Sequence, residues 1–290
     1  LNRTAIALFL TVSILWGIPY LFNEVALREL GPISVATLRV VLAALVLAPV
    51  LLTKGRWRVF QRHPIHLPAI ALLQVVIPFI LIATGQLTVP SGTAGILIAT
   101  EPMFIAVLAP LLAKKPRMRA LGWVGLVIGL AGVAGILGVQ SAGPGVYMLI
   151  GASLSYAFST VLIARWFADT DPLVLTAAML LTAAPVLAAI MFIAEGPVTS
   201  ISPPTGIAIA VLGVLCTSLA FVAYFGLIKA AGPTLASLIT YTAPIVAVIA
   251  GVAFLGERFT LPQAGGCALV FLGAVLVTLS QRRSGTQPAS

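Results

Sequence analysis

The feature that most constrains this chain is a succession of apolar runs, each long enough to cross a bilayer, separated by short polar or Pro/Gly breaks. A spanning helix needs about 20 mainly apolar residues, and in hydrocarbon its backbone polar groups must be satisfied internally. The runs fall at 4–22, 33–52, 66–88, 91–113, 119–138, 144–166, 172–194, 205–229, 234–255 and 260–280. They predict an all-α polytopic membrane protein of ten transmembrane helices. The composition, 60% hydrophobic and 8% charged with mean hydropathy +1.15, lies outside the soluble range. The first run, Thr4 to Phe22, is too long and uniform for a signal-peptide h-region and has no small-residue cleavage site before Asn23, so it reads as a retained span.

Lysine and arginine set the orientation. With the N-terminus in the cytoplasm, thirteen of the sixteen fall on inside segments: Arg3, Lys54, Arg56, Arg58, Arg62, Lys114, Lys115, Arg117, Arg119, Arg165, Lys229, Arg282 and Arg283. Only Arg28 and Arg258 fall outside, and Arg39 lies within the second span. The bias predicts both termini in the cytoplasm of a bacterial inner (plasma) membrane protein. It also accounts for the net charge of +9 without a nucleic-acid partner, because the basic residues sit in short loops. Trp57, Trp123 and Trp166 fall at the same edge, as an aromatic belt would place them; Trp16 does not, and is a candidate cavity residue.

The chain repeats itself. TAGILIATEPMFIAVLAPLLA at 93–113 is echoed by ASLITYTAPIVAVIAGVAFL at 236–255, with Pro102 falling on Pro244 after a shift of 142, and 31–52 resembles 170–192. Five spans per copy is an odd number, so the second copy enters from the opposite side. This predicts inverted-topology repeats, 1–140 and 141–283, followed by a disordered tail at 284–290. Such an architecture is associated with alternating access and a substrate site where the halves meet near the midplane.

One copy carries an acid and the other does not. Glu101 lies at the middle of its span, where a charge costs about 3 kcal/mol or more unless it faces protein or a water-filled cavity. It reads either as a carboxyl that fixes helix geometry beside Pro102 or as a group that titrates or binds a substrate amine. Arg39 and Glu101 lie at comparable depths, which suggests an ion pair. Polar and aromatic groups recur at mid-span: Trp16, Tyr20, Gln74, Thr84, Ser155, Tyr156, Ser159, Thr217, Ser218, Tyr224, Thr240 and Tyr241. Singly each is a packing hydrogen bond. Together they place the first, third, fourth, sixth, eighth and ninth spans around a cavity, with Trp16, Tyr20, Gln74, Glu101, Tyr156, Ser159, Ser218, Tyr224 and Tyr241 as candidate substrate-binding residues. Pro19, Pro78, Pro102 and Pro244 lie inside spans as kinks or hinges. Gly122, Gly125, Gly129, Gly132 and Gly135 line one side of the fifth span, for close helix packing or homodimerisation.

Enzyme signatures are absent from the sequence: no HExxH, GxSxG, P-loop or paired intramembrane aspartates. Cys216 and Cys267 lie within apolar runs without metal-ligand spacing, His63 and His66 belong to a basic loop, and no cofactor is implied.

FLGERFTLPQAGGCALVFLGAVLV at 254–277, Trp16-Gly17, Leu38-Arg39 and the two Pro-centred spans resemble the drug/metabolite transporter superfamily, in its ten-span EamA-type branch. The resemblance covers nearly the whole chain. It implies two inverted five-span repeats, cytoplasmic termini and a central cavity lined by the first, third, fourth, sixth, eighth and ninth spans. Many members resemble exporters of amino acids, aromatic ones included. The Gly256-Glu257-Arg258 motif has become Lys114-Lys115-Pro116 in the other copy, so Glu257 reads as helix termination or a loop salt bridge. The expected function is export of amino acids and related small neutral or zwitterionic metabolites, by a monomer or homodimer whose partners are the bilayer and a small-molecule substrate. The alternatives are a nucleotide-sugar or cationic-drug carrier, or a scaffold or receptor subunit that transports nothing.

Overall fold

The computed structural model describes residues 3–53, 55–112, 120–137, 143–258 and 260–284, which are helical with no strand among them. Eight helical segments are long and apolar enough to cross a membrane: α1 Arg3–Leu27, α2 Pro32–Leu51, α3 His66–Gly85, α4 Ser91–Leu112, α6 Pro144–Trp166, α7 Pro172–Ala194, α8 Pro203–Gly232 and α10 Leu261–Ser280, whose helix continues to Ser284. Two shorter apolar helices, α5 Ala120–Leu137 and α9 Ile239–Leu255, complete the bundle. The expected tail beyond Ser284 and the Lys114–Pro116 loop lie outside the described residues.

Local chemistry sets the helix ends. Prolines open α2, α6, α7 and α8, where the first N–H would have no partner in any case. At α7 the Asp171 carboxylate also accepts from the Leu173 and Val174 N–H groups at 2.9 and 3.1 Å. Gly256, at φ 67°, ends α9 in the left-handed conformation that a side chain would disfavour. Gly232, at φ 81°, likewise kinks the chain after α8; helix resumes as far as Ala236, and a turn at 237–238 precedes α9, which starts at Ile239 rather than near residue 234.

Packing follows small residues. The most extensive contact joins α5 to α10, and the glycine stripe of α5 is what permits it. A Cβ built on Gly125 would lie 2.7 Å from the Gly273 carbonyl oxygen, and one on Gly132 would lie 2.6 Å from that of Gly266. The stripe is therefore covered within the chain, and a homodimer would need another face. The other principal contacts are α2 with α7, α4 with α9, α3 with α6, α1 with α8, α4 with α6, α1 with α9, α2 with α8 and α3 with α7. Large apolar side chains such as Leu10, Leu45, Val127, Ile193 and Phe254 face outward, as a lipid-solvated surface requires.

Three carboxylates fasten one end of the bundle. Glu195, just after α7, accepts from Ile33 N, Ser34 N and the Ser34 hydroxyl at the start of α2. Its carboxylate occupies the space a Cβ on Gly31 would fill. Glu257, after α9, accepts from Ser91 N and Gly92 N at the start of α4. Glu29, after α1, accepts from Ser202 and Thr205 at the start of α8. Each acid satisfies orphan donors and meets the positive end of a helix dipole. Glu257 thus takes part in ending its own helix through its backbone N–H, which donates to the Gly251 carbonyl at 3.1 Å, while its side chain caps a different helix.

Hydrogen bonds from Ser202 and then Thr205 hold the Glu29 carboxyl below the usual carboxylate range. A depressed folded value means that its contribution is present at neutral pH and is lost as acid protonates it. Glu195→Ala should lower the stability of the detergent-solubilised protein by about 1 kcal/mol, the usual worth of a helix N-cap. An unchanged unfolding midpoint would show that water replaces the carboxylate at no cost.

Candidate functional site

A cavity of about 240 Å³ lies among the helices and is lined from eight of them: α1, α2, α3, α4, α6, α7, α8 and α9. Its walls depend on departures from regular helix. In α4 the helix is interrupted between Ile98 and Glu101. Pro102 has no N–H for the Ile98 carbonyl four residues back, and the Ser153 hydroxyl donates to that carbonyl at 3.3 Å. Thr100 bonds the Leu97 carbonyl and the Ser153 hydroxyl. Glu101 therefore begins the second half of a broken helix and lines the cavity there.

Two wide-turn π segments lie beside it. Leu72–Val76 in α3 precedes Pro78, and Val211–Leu219 in α8 carries hydroxyls that bond carbonyls five residues back, Thr217 to Leu212 and Ser218 to Gly213. Such segments leave carbonyls poorly paired and recur at functional sites. Ser155 donates to the Leu73 carbonyl in one, and Ser218 donates to the Ala43 carbonyl from the other. The wide turns bring Gln74, Cys216 and Thr217 to the cavity wall. A third break, at Ile18 between Gly17 and Pro19, sets Trp16, Pro19 and Tyr20 against it.

Of the residues singled out from the sequence, Trp16, Tyr20, Gln74, Glu101, Tyr156, Thr217 and Thr240 line the cavity, as do Arg39, Pro19 and Pro244. Four candidates lie elsewhere. Tyr241 bonds the Ala274 carbonyl and Thr278, tying α9 to α10. Ser218 is used up between two backbone carbonyls. Tyr224 stacks behind Trp16 at 4.8 Å between ring centroids. Ser159 is fully buried and does not reach the lining. Pro244 lies within a continuous α9 rather than at a break, and Pro78 follows its π segment as the next helical turn begins.

The expected Arg39–Glu101 ion pair does not form. The Arg39 Nε donates to Thr217 Oγ1 at 3.0 Å, with the guanidinium 4.3 Å from the centre of the Phe79 ring. Glu101 Oε1 instead accepts from Thr160 Oγ1 at 3.0 Å. Comparable depth in a bilayer fixes one coordinate only, and each group finds its partner on another helix, Thr217 of α8 for Arg39 and Thr160 of α6 for Glu101. Residues the sequence did not flag include Asn23, Phe79, Thr176, Met179, Leu180 and Phe221 in the wall, and Thr160 behind Glu101. Thr176, Met179 and Leu180 belong to α7 and Arg39 to α2, so two further helices join the six expected ones. One signal was available: seven residues after the proline that opens each helix, Arg39 in α2 stands where α7 has Met179.

A multi-pass helical membrane protein whose helices break around a central polar and aromatic cavity is built as a transporter of small solutes. The EamA-like transporter family model matches residues 3–138 and again 143–279, and the chain belongs to that family, within the drug/metabolite transporter superfamily. Among its relatives is the uncharacterized inner membrane transporter YedA of Escherichia coli K12, 30% identical over 283 residues, which cover 95% of this chain and 90% of the relative. The uncharacterized transporter YvbV of Bacillus subtilis is 25% identical over 287 residues, covering 97% of this chain and 93% of that protein. A solved crystal structure shares the fold with a TM-score of 0.67 and 21% identity, covering 99% of this chain and 100% of its own.

Proposed function

We propose that this transporter exports amino acids and related small neutral or zwitterionic metabolites across a bacterial inner membrane. The single observation that carries the reading is the cavity's make-up: one cation, Arg39, and one anion, Glu101, in a wall otherwise formed by aromatic, apolar and uncharged polar residues. Phosphorylated sugars and nucleotide sugars demand several cationic groups for their phosphates, and the lining offers Arg39 alone. Trp16, Phe79, Tyr156 and Phe221 supply apolar and aromatic surface for a side chain.

Movement between the two sides would follow alternating access of two inverted five-helix halves, with both termini cytoplasmic. Several observations support this. The family model matches twice in tandem. The principal contacts also survive exchange of the halves: α1–α8 becomes α6–α3, α1–α9 becomes α6–α4, and α2–α8 becomes α7–α3. The two π segments occupy corresponding places in α3 and α8. Glu29, Glu195 and Glu257 each cross from one half to the other at the end opposite the basic loops, which supports reading that end as the closed, outer one.

Proteoliposome uptake of labelled tryptophan, phenylalanine, methionine, threonine, lysine and glutamate tests the reading. Saturable movement of the neutral members, with mutual competition, is the expected result. Movement of organic cations alone would assign the cavity to cationic drugs through Glu101, and inertness toward every solute in folded protein would leave a scaffold role.

A further inference from the structure

We propose that the cavity recognises a zwitterion by its two charges at once, Arg39 receiving the carboxylate and Glu101 the ammonium of one ligand. The proposal rests on the reading of the cavity as a small-solute site and assigns its poles. Two opposite charges in one apolar enclosure would ordinarily be expected to pair, because each is costly to bury alone. Here they do not. Each is held by a single neutral hydroxyl, Thr217 for Arg39 and Thr160 for Glu101.

The partial occupation of each pole matters most. Thr217 engages only the Nε of Arg39, and no described protein acceptor lies on either Nη. Phe79 lies against the guanidinium and fixes its plane. What remains is the paired N–H edge that matches a carboxylate in bidentate fashion. Thr160 engages Oε1 of Glu101, and Oε2 has no described donor. An ammonium carries three donors, and a side-chain amide, Gln74, lines the same cavity. The Gln74 Oε1, in the π segment of α3, is buried without any hydrogen-bond partner.

Tyr20 and Tyr156 line the same cavity as the two poles. Neither hydroxyl has a hydrogen-bond partner among the described residues. The cavity therefore presents a cationic edge, an anionic oxygen and two phenols around one space. A zwitterion neutralises both poles and satisfies these groups in a single step. A ligand with one charge would leave the opposite pole buried and unpaired. The second half of the chain contributes apolar counterparts at the matching places, Met179 for Arg39 and Ala243 for Glu101, and both line the cavity. Met179, Leu180 and Ala243 add to the aromatic and apolar surface open to the side chain of a bound amino acid.

The test is calorimetric binding to the purified full chain in detergent, which does not depend on transport. Tryptophan, phenylalanine and methionine are titrated first. The tightest binder is then compared with its amine lacking the carboxylate and its acid lacking the ammonium. Each single-charge analogue should bind at least tenfold more weakly than the parent. Glu101→Gln should erase the penalty for lacking the ammonium while keeping that for lacking the carboxylate, and Arg39→Gln should do the reverse. Arg39→Lys, which keeps the charge without the fork, guards against a folding defect and should retain part of the carboxylate preference. Equal binding of parent and analogues overturns the proposal, as does a uniform weakening in every folded variant or failure of all three amino acids to bind. Binding by these rules without proteoliposome uptake would sink the export reading and leave the site. Uptake without the charge rule would do the opposite.

Discussion

Gly273→Val is expected to disable the fold, while Gly265→Val, eight residues earlier on the same helix, is expected to be tolerated. A Cβ on Gly273 would sit 2.5 Å from the Gly125 carbonyl oxygen and 2.6 Å from the Gly129 backbone, distances that real Cβ atoms do not adopt. The obstructing atoms are backbone, so no rotamer change relieves the overlap and α10 must move off α5. In a bilayer there is little hydrophobic drive to hold helices together, and close van der Waals packing between small residues is the main source of association. Overpacking a tight contact costs about 1–3 kcal/mol when side chains can give, and more is expected where they cannot. A Cβ on Gly265 would meet nothing within 4 Å. Thermal unfolding and size-exclusion profiles in detergent should show loss of the folded monodisperse peak for Gly273→Val and a profile close to the parent for Gly265→Val. Equal tolerance of both would mean that the α5–α10 contact is looser than its geometry indicates.

Gln86→Leu should be the most damaging substitution of a polar side chain outside the cavity. Gln86, just after α3, accepts from Asn23 Nδ2 at 2.9 Å and donates to the Tyr20 carbonyl at 2.8 Å. Asn23 and Gln86 are 3% and 4% exposed, so water cannot replace either bond. Leucine would orphan the Asn23 amide donor, at about 1–3 kcal/mol, and remove the second partner of the Tyr20 carbonyl, which lies in the helical segment Pro19–Leu27. The Asn23→Leu, Gln86→Leu double variant should recover part of that loss, because the Asn23 amide is then no longer stranded. A double-mutant cycle on unfolding midpoints measures the coupling. Additive losses would show that the two amides act independently. Since Asn23 and Tyr20 both line the cavity, the same pair also fixes how α1 presents its residues to a ligand.

The sequence by itself determined the helices. Runs at 33–52, 66–88, 91–113, 144–166 and 172–194 correspond to α2, α3, α4, α6 and α7 within a few residues, because a bilayer-length apolar stretch has few alternatives to a helix. It also marked Glu101, Trp16 and Gln74 as misplaced in lipid, and all three face the cavity. The tertiary structure decided which polar residues share that cavity and which do not. Tyr241 and Ser218 carry the same chemistry as Tyr156 and Thr217, and only the direction each helix turns its face separates packing from lining. The same direction separated Arg39 from Glu101 and gave each a hydroxyl partner. It brought in Met179 and Leu180, whose apolar character cannot distinguish a cavity wall from a lipid face. The capping role of Glu257 was likewise decided by the fold, since the helix it caps begins at Ser91, 166 residues away in the chain. Hydropathy along a sequence reports which segments leave water, but rotation about each helix axis is set by close contacts between segments, here above all by glycine and alanine meeting backbone.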